Sequence, residues 1–373
     1  MPRPKIAFLI TESWHFLSHR RALADACRGA GWDPVLIANV AEKDRPQLAD
    51  MRVVALDMRR ASRHLLRELV TLWRVITVSW RERPRILHAV GLRPVLYGSI
   101  AARVLGLNAV CALAGLGYLF TSGTLWARLV QRGVVLWLRL AFNNPRVRVI
   151  VQNDDDAKHL ISHGVARDVV LIRGSGVDLD QFQPMPEPGG TPIFAVVARM
   201  LGDKGIRELV LAARMLRWRG GACRVRLVGE PDAYNLSSLT QRELILWANE
   251  GIVEWVGFQS DVPAIWRDAH VCVLPSYCEG LPKSLLEAAA CGRPIITTDV
   301  PGCRDVVTHE VEGLIVPAKD WCALARAMER LALDPNLRRR MGQAARRRVE
   351  QHFGQDKVVD QTMALYRDIL GRP

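Results

Sequence analysis

Short apolar runs alternate with helix-forming stretches along the chain, and this alternation restricts the fold more than any other feature. It predicts parallel, doubly wound sheets with helices on both faces. Such sheets bind ligands at the carboxyl ends of their strands, so site residues are expected in the loops that follow. The predicted strands span 6–10, 35–38, 52–56, 86–90, 109–113, 147–152 and 168–172 in the first half, and 193–197, 224–228, 252–256, 271–274 and 294–298 in the second.

Chain length and one proline-rich segment predict two domains. With 373 residues, the chain is too long for one typical domain and fits two of about 150 to 200 residues. Residues 183–192 hold four prolines and two glycines, which no regular element tolerates. We therefore predict a first domain at 1–183, a linker at 184–192, a second domain at 193–354 and a last helical segment at 355–373.

Positive charge is concentrated in the first half of the chain. The formal net charge is +13, and residues 1–150 hold 23 Lys and Arg against 9 Asp and Glu, whereas residues 151–373 hold 28 against 29. A neutral second half, without basic strands interleaved with aromatic residues, disfavours a nucleic-acid binder. The basic runs 338–340 and 346–348 lie in a helical stretch, and we interpret them as a solvent-facing surface.

Cysteine spacing and hydropathy indicate the compartment. The eight cysteines are scattered without a CxxC pair, which is typical of reduced cytosolic thiols. The apolar run near the first residue is too short for a signal peptide, and no run of about 18 apolar residues follows it. We expect a cytoplasmic protein without a transmembrane segment.

Two helical stretches in the basic half combine arginine stripes with tryptophans. Residues 63–81 and 125–142 each carry both. Helices of this kind lie in membrane interfaces, where each basic residue contributes about 1 kcal/mol of attraction to an anionic surface. Peripheral association with an anionic membrane is therefore expected, and ordinary surface helices are the alternative. The stripes are Arg63, Arg67, Arg74 and Arg81 beside Trp73 and Trp80, and Arg128, Arg132 and Arg139 beside Trp126 and Trp137.

Residues 275–294, PSYCEGLPKSLLEAAACGRP, hold the strongest candidate chemistry. We predict a strand–loop–helix unit with Glu279 in the loop and Glu287 inside the helix. The unpaired N–H groups at the helix start favour an anion such as a diphosphate, and the two carboxylates suit hydroxyl groups on either side of it. Chance spacing of two glutamates is the alternative. The candidate residues at the helix start are Gly280, Leu281, Lys283 and Ser284.

The spacing Glu-x7-Glu on this unit resembles the signature of retaining glycosyltransferases of family 4, which have the GT-B fold. The resemblance implies two Rossmann-like domains that face across a cleft, with a C-terminal helix that crosses back to the first domain. It assigns Arg199 and Lys204 to the diphosphate of a UDP-linked donor, Glu279 to the transferred sugar and Glu287 to the ribose. It also implies front-face attack without a side-chain nucleophile or a metal. Residues 255–258 match the base-binding loop moderately, with Phe258 as the candidate contact.

In the first half, residues 91–103 and the Gly115-Leu-Gly117 motif resemble family members that extend polyprenyl-diphosphate-linked (undecaprenyl) oligosaccharides with N-acetylhexosamines. The resemblance implies a lipid-linked acceptor and acceptor-side roles for His88, Arg93, Gly115 and Gly117. Family members often carry His-x-His after the fourth strand, whereas this chain has His88-Ala-Val90. His15 and His19 are possible substitutes for the missing imidazole.

The sequence also bears on several other activities. The loop after the first strand lacks GxGxxG, which excludes an ordinary dinucleotide-binding dehydrogenase. The acids at 154–156 resemble the Asp-x-Asp metal site of GT-A enzymes, but they follow a strand and precede a helix, so capping and the helix dipole explain them better. A sugar-nucleotide epimerase of the same fold, a transferase with a soluble acceptor and a two-carboxylate glycoside hydrolase remain alternatives. We expect no cofactor and no metal.

Overall fold

A computed structural model describes residues 3–58, 65–113, 115 and 125–371. The chain divides into two compact units. Unit 1 comprises Met1–Ser175 with Asp356–Pro373, and unit 2 comprises Gly176–Gln355.

Unit 1 is built on a seven-stranded parallel sheet in which every predicted strand is present. The strand order is β3-β2-β1-β4-β5-β6-β7, and the chain reverses direction across the sheet between β1 and β4. Buried apolar residues occupy nearly every position of β1, β2 and β4 to β6, as expected for strands covered on both faces. The strands are β1 (Lys5–Glu12), β2 (Asp33–Asn39), β3 (Arg52–Ala55), β4 (Ile86–Val90), β5 (Asn108–Leu113), β6 (Val147–Val151) and β7 (Val170–Leu171).

Helices follow the strands of unit 1 in the alternation that the sequence predicts. Gly106, in the left-handed region at φ 66°, ends the helix that precedes β5. A 3-10 segment, Glu42–Leu48, lies between β2 and β3. The helices described before unit 2 begins are α1 (Ser13–His19), α2 (Arg21–Gly29), α3 (Leu65–Glu82), α4 (Leu92–Leu105), α5 (Leu125–Phe142) and α6 (Asp154–Ser162).

The last helix of the chain belongs to unit 1, as predicted for the fold class. This helix, α14 (Gln355–Gly371), places Val358, Met363, Tyr366 and Ile369 in one hydrophobic cluster with Phe8, Leu36 and other residues of β1, β2 and β4. Burial of this apolar face, at about 25 cal/mol per Å², is what fixes the helix on the sheet.

Unit 2 contains a second parallel sheet, of six strands in the order β10-β9-β8-β11-β12-β13. Its strands are β8 (Ile193–Val197), β9 (Arg224–Val228), β10 (Glu254–Trp255), β11 (Val271–Leu274), β12 (Ile295–Thr298) and β13 (Gly313–Val316). β13 is not among the strands predicted from the sequence, but it pairs in parallel with β12 along its length. Its short apolar run lies between a glycine and a proline, and both residues are turn signals.

Helices flank both faces of this second sheet. A 3-10 turn, Gly202–Lys204, follows β8. The core is continuous from β8 to the last helices of the unit. The helices are α7 (Ile206–Trp218), α8 (Gln241–Asn249), α9 (Val262–Asp268), α10 (Lys283–Ala290), α11 (Cys303–Val306), α12 (Trp321–Leu333) and α13 (Pro335–His352).

The segment predicted as a linker, 184–192, lies within unit 2, and the division between units falls earlier, at Ser175 and Gly176. Met185 N–H donates to Cys291 O over 3.3 Å, and Glu187 accepts from the buried Arg338 over 3.0 Å. The segment is therefore irregular, as its prolines predict, but these hydrogen bonds attach it to unit 2. The basic run at 338–340 was also misread, because its first arginine is buried against this segment.

Candidate active site

The candidate site of unit 2 lies where the chain reverses direction across the sheet. β8 and β11 are neighbours, but the chain continues from β8 towards β9 and from β11 towards β12. Two loops therefore diverge at adjacent carboxyl ends, and this switch point is where doubly wound sheets bind ligands. The loops are 198–205, between β8 and α7, and 275–282, between β11 and α10.

A lysine and a glutamate from these two loops form an ion pair at the switch point. Lys204 Nζ lies 2.5 Å from Glu279 Oε1, and both side chains are largely buried. The hydroxyl of Ser276 donates to the same carboxylate oxygen over 2.6 Å. Partial burial strengthens such a pair, and two donors on one oxygen fix the orientation of the carboxylate.

Three further bonds hold the loop that carries Glu279. Tyr277 N–H donates to Asp203 O over 2.8 Å, and the Tyr277 hydroxyl donates to Glu208 on α7 over 2.6 Å. Burial and this glutamate raise the pKa of the Tyr277 hydroxyl, so it remains a donor. From the other side, the hydroxyl of Thr298 at the end of β12 donates to Ser276 O. The carboxylate is thus carried by a loop that is fixed from both flanking strands.

Two glycines allow the backbone segments of the site to approach closely. Gly205 has φ 70°, and a Cβ on it would lie 2.1 Å from Pro275 O. Gly302 has φ 76°, and a Cβ on it would lie 2.2 Å from Gly280 O. Both the positive φ and the short distances require glycine.

The first turn of α10 has the electrostatic character that was predicted for an anion site. Pro282 occupies the N-cap, where it has no side-chain acceptor, and the first turn contains no acidic residue. The partial positive charge at this helix start is therefore not neutralised by its own first turn. Gly280 and Leu281 precede the helix, while Lys283 and Ser284 begin it.

Glu287 lies one turn further along α10 and is buried. Burial raises the pKa of its carboxyl to about 7, and Lys283, whose Nζ lies 3.8 Å away, opposes this rise. The group therefore changes its charge near neutral pH, unlike an ordinary surface glutamate.

The other two predicted donor residues, Arg199 and Phe258, lie in loops after β8 and β10. Arg199 follows β8 and pairs with Asp232, in the loop after β9, over 2.6 Å. Phe258 follows β10 and is 63% exposed. Sequence patterns gave no indication of Asp232 or of the positioning contacts of Ser276 and Thr298, because these depend on strand order.

The carboxyl ends of β8, β9 and β10 form one close-packed rim. Gly229, at the end of β9, donates from its N–H to Gly257 O over 2.8 Å, and its carbonyl accepts from Trp255 Nε1 over 2.9 Å. A Cβ on this glycine would lie 1.9 Å from Ala198 O. Phe258 and Arg199 therefore flank a rigid rim beside the switch point.

In unit 1, the predicted acceptor-side histidines have different environments. His15 and His19 lie on α1, directly after β1, with ring centroids 4.6 Å apart. His88 lies in the middle of β4, buried, with Nδ1 hydrogen-bonded to the hydroxyl of Tyr366 on α14. Burial, reinforced by Arg20, holds the pKa of His88 well below its usual range. The His88 ring thus lies in the core and not in the loop after β4.

The remaining acceptor-side predictions lie after β4 and β5. Arg93, at the start of α4, pairs with Glu68 on α3 over 3.4 Å. Gly115 has φ 90°, and Gly117 lies outside the described residues.

The acids at 154–156 begin α6, as the capping interpretation predicts. The side chain of Asn153 accepts from Asp156 N–H over 2.7 Å and donates to the Asp156 carboxylate over 2.9 Å. Over the part of the chain that the structure describes, no group of three or more His, Cys, Asp or Glu side chains has a metal-binding arrangement.

Helix α3 presents an apolar face with arginines beside it. Trp73 and Trp80 are 65% and 57% exposed, and Leu66, Leu69 and Val70 are exposed beside them. Arg67, Arg74 and Arg81 are exposed as well. On α5, Leu136, Leu140 and Arg132 are exposed, whereas the side chains of Trp126 and Arg128, like Arg63 as a whole, lie outside the described residues. Within the described ranges, every helix is too short or too polar to cross a membrane.

Curated relatives of the chain are bacterial glycosyltransferases. It is 26% identical over 270 residues, 69% of both sequences, to the N,N'-diacetylbacillosaminyl-diphospho-undecaprenol alpha-1,3-N-acetylgalactosaminyltransferase of Campylobacter jejuni. It is 32% identical over 220 residues to the putative colanic acid biosynthesis glycosyltransferase WcaL of Escherichia coli. That second match spans 56% of this chain and only 53% of WcaL.

Solved structures show the same fold over nearly the full length. The sucrose-phosphate synthase of Thermosynechococcus elongatus superposes with a TM-score of 0.82 at 23% identity, over 99% of this chain and all of that one. HepE of Anabaena, solved in complex with UDP, superposes with a TM-score of 0.74 at 18% identity, over 98% of this chain and all of that one. At these identities the likeness establishes the fold alone.

Two family models divide the chain almost where its two units meet. The "Glycosyl transferase 4-like domain" matches residues 18–175, and "Glycosyl transferases group 1" matches residues 178–348. The chain therefore belongs to the family 4 glycosyltransferases, which have the GT-B fold.

Proposed function

We propose that the protein is a retaining glycosyltransferase that moves an N-acetylhexosamine from a UDP-sugar to a polyprenyl-diphosphate-linked saccharide during polysaccharide assembly. The observation that carries this proposal is the Lys204–Glu279 pair, at the switch point of the unit 2 sheet and near the uncapped start of α10. A cation and a helix dipole suit a leaving diphosphate, and a fixed carboxylate suits the hydroxyl groups of a sugar.

In this mechanism the donor diphosphate binds at the backbone of Gly280 and at the N–H groups of Leu281, Lys283 and Ser284. Lys204 and Arg199 neutralise the charge that develops as the sugar–phosphate bond breaks, and they act without a metal. Glu279 orients the transferred sugar, Glu287 accepts from the ribose hydroxyls and Phe258 stacks on the base. The departing phosphate oxygen takes the proton of the acceptor hydroxyl, so attack occurs on the face that the diphosphate leaves. This course retains the anomeric configuration.

Unit 1 supplies the acceptor side of the proposal. The Campylobacter relative is described as acting on an undecaprenol-linked saccharide. The apolar and basic surface of α3 suits an anionic membrane, where such a lipid resides. We propose His15, His19, Arg93 and Gly115 as residues of the acceptor side, and the cytoplasmic membrane face as the place of action.

The deciding experiment follows transfer from labelled UDP-N-acetylhexosamines to short polyprenyl-diphosphate-linked saccharides. We expect UDP release that requires the acceptor, persists in EDTA and gives a product with retained anomeric configuration by NMR. Donor turnover without acceptor would indicate an epimerase instead, and saccharide cleavage without nucleotide would indicate a hydrolase.

A matched pair of variants tests the role of the carboxylate. Glu279→Gln keeps the shape of the side chain but removes its charge, and we expect transfer to fall by about 10²-fold or more. Glu310→Gln is the control, because Glu310 is an exposed residue paired with Arg330 on the surface of unit 2. Near-normal transfer by Glu279→Gln would contradict the assignment.

A further inference from the structure

A second cleft in unit 2 is lined by arginines and lies at the opposite edge of the sheet from Glu279. It has a volume of about 770 Å³, within the range of small-molecule sites. Its lining includes His270, Arg293 and Pro294, which directly precede β11 and β12. It therefore lies at the amino ends of the strands, about 13 Å along β11 from the carboxyl edge.

The irregular segment 184–189 forms one wall of this cleft, and α13 forms the other. Two of the lining arginines form ion pairs and hydrogen bonds that connect α13 to neighbouring segments. Arg338 pairs with Glu187, and Arg346 donates to Phe182 O and Ala290 O and pairs with Glu350. Their charges are compensated within the protein, so they define the shape of the cleft.

Three other lining arginines have no carboxylate partner among the described residues. Arg293 is buried and donates only to carbonyl oxygens, those of Trp266 at 2.8 Å and Pro186 at 3.0 Å. Burial lowers the pKa of this guanidinium, and the nearby Glu187 only partly opposes the decrease. Arg339 and Arg347 are exposed on α13, separated by two helical turns, and Gln343 lies between them on the same face.

Burial of a cation is unfavourable unless a negative charge compensates it. The cleft gathers the buried guanidinium of Arg293 and the two exposed ones of Arg339 and Arg347, none of which has a carboxylate hydrogen-bond partner among the described residues. Guanidinium is also the protein group that best matches phosphate oxygens. Glu187 is the only acid that lines the cleft within the described chain, and Arg338 already neutralises it.

From this arrangement we infer that the cleft between 184–189 and α13 is an anion-binding site, separate from the donor site, that takes the phosphate groups of a small ligand. A ligand there binds Arg293, Arg339 and Arg347 together and ties the 184–189 segment to α13. The phosphate can come from a soluble oligophosphate or from an anionic lipid headgroup. This inference goes beyond the proposed transferase activity and does not depend on it.

Hydrogen exchange of the whole 373-residue chain, titrated with pyrophosphate, tests the site because it reports separately on the amino and carboxyl ends of the strands. We expect slower exchange of the amides in 185–191. In the double variant Arg339→Gln/Arg347→Gln, the pyrophosphate concentration needed for this protection should rise at least tenfold, while any protection of 199–205 and 280–287 is unchanged. Arg340→Gln is the control, since Arg340 is exposed on the same helix but does not line the cleft.

Vesicles distinguish the two sources of phosphate. Protection of 185–191 by phosphatidylglycerol vesicles but not by pyrophosphate would identify a lipid headgroup as the ligand, and protection by pyrophosphate identifies a soluble one. Protection that persists equally in the double variant, or no protection by either probe, would overturn the inference. Loss of transferase activity has no bearing on these readouts, so the proposed function can fail independently.

Discussion

Lys204 and Glu279, 75 residues apart in the sequence, meet at 2.5 Å because β8 and β11 are neighbours whose following loops diverge. The pair joins the two strand–helix junctions that the proposed donor diphosphate would contact. Its cation thus lies beside the carboxylate that would orient the transferred sugar.

Lys204→Met should reduce kcat by about 10²- to 10³-fold, because it removes a cation proposed to stabilise the departing diphosphate and leaves Glu279 with Ser276 as its remaining side-chain donor. Steady-state kinetics of UDP release measure the effect. Arg214→Gln is the control, because it also removes one positive charge. Arg214 lies in the last turns of α7 and forms an exposed ion pair with Glu250, so its loss should change kcat less than twofold. Equal kinetics for the two variants would contradict a role for the pair.

Gly205→Ala should abolish transfer and destabilise unit 2, whereas Gly220→Ala should only destabilise it slightly. Both glycines have positive φ, 70° and 76°, so alanine costs about 1 to 2 kcal/mol at either position. A Cβ at Gly220 meets no atom within 4 Å, but one at Gly205 meets Pro275 O at 2.1 Å and must displace the loop that carries Glu279. Activity and hydrogen exchange of β11 amides measure the two effects. Similar activities in both variants would show that the close approach is not required.

Local patterns were sufficient to predict every strand of the two sheets except β13, the position of Glu279 in a loop and that of Glu287 in a helix, because apolar periodicity and turn residues are local signals. The pairings of the site could not be predicted in this way. The ion pair of Arg199 with Asp232 depends on the order of β8 and β9. The ion pair of Arg338 with Glu187 joins residues that are 151 positions apart in the sequence. The same limit explains why the basic run on α13 was misread as solvent-facing.

The stability of unit 2 should decrease as pH rises from about 4.5 to 7 through the titration of Glu287. Burial raises the pKa of its carboxyl to about 7 in the folded chain, against 4.5 for the ordinary group. Between these values the folded state holds a proton that the unfolded state has lost, so the free energy of unfolding falls by up to about 3 kcal/mol and stays lower above pH 7.

Hydrogen exchange of β11 and β12 amides at pH 5 and pH 8, corrected for intrinsic rates, measures this loss. Glu287→Gln has no proton to lose at this position, so its stability relative to the wild type should be greater at pH 8 than at pH 5. A constant difference between the two proteins across this range would show that Glu287 is ionised in the folded state throughout.

Trp73→Ser/Trp80→Ser should weaken binding to phosphatidylglycerol vesicles at least tenfold, because these rings are the largest exposed apolar groups on the arginine-bearing face of α3. Each ring that is buried in the membrane contributes to the binding free energy through its apolar area. A loss of 1.4 kcal/mol already weakens the binding tenfold. Co-sedimentation with sucrose-loaded vesicles measures the binding.

Trp218→Ser is the control, since Trp218 is 86% exposed on unit 2, far from α3 in the sequence and outside the basic half of the chain. Arg74→Gln should also weaken binding and reduce its dependence on salt, as expected for attraction to anionic headgroups. If the tryptophan double variant and Trp218→Ser bind equally well, α3 does not contact the membrane.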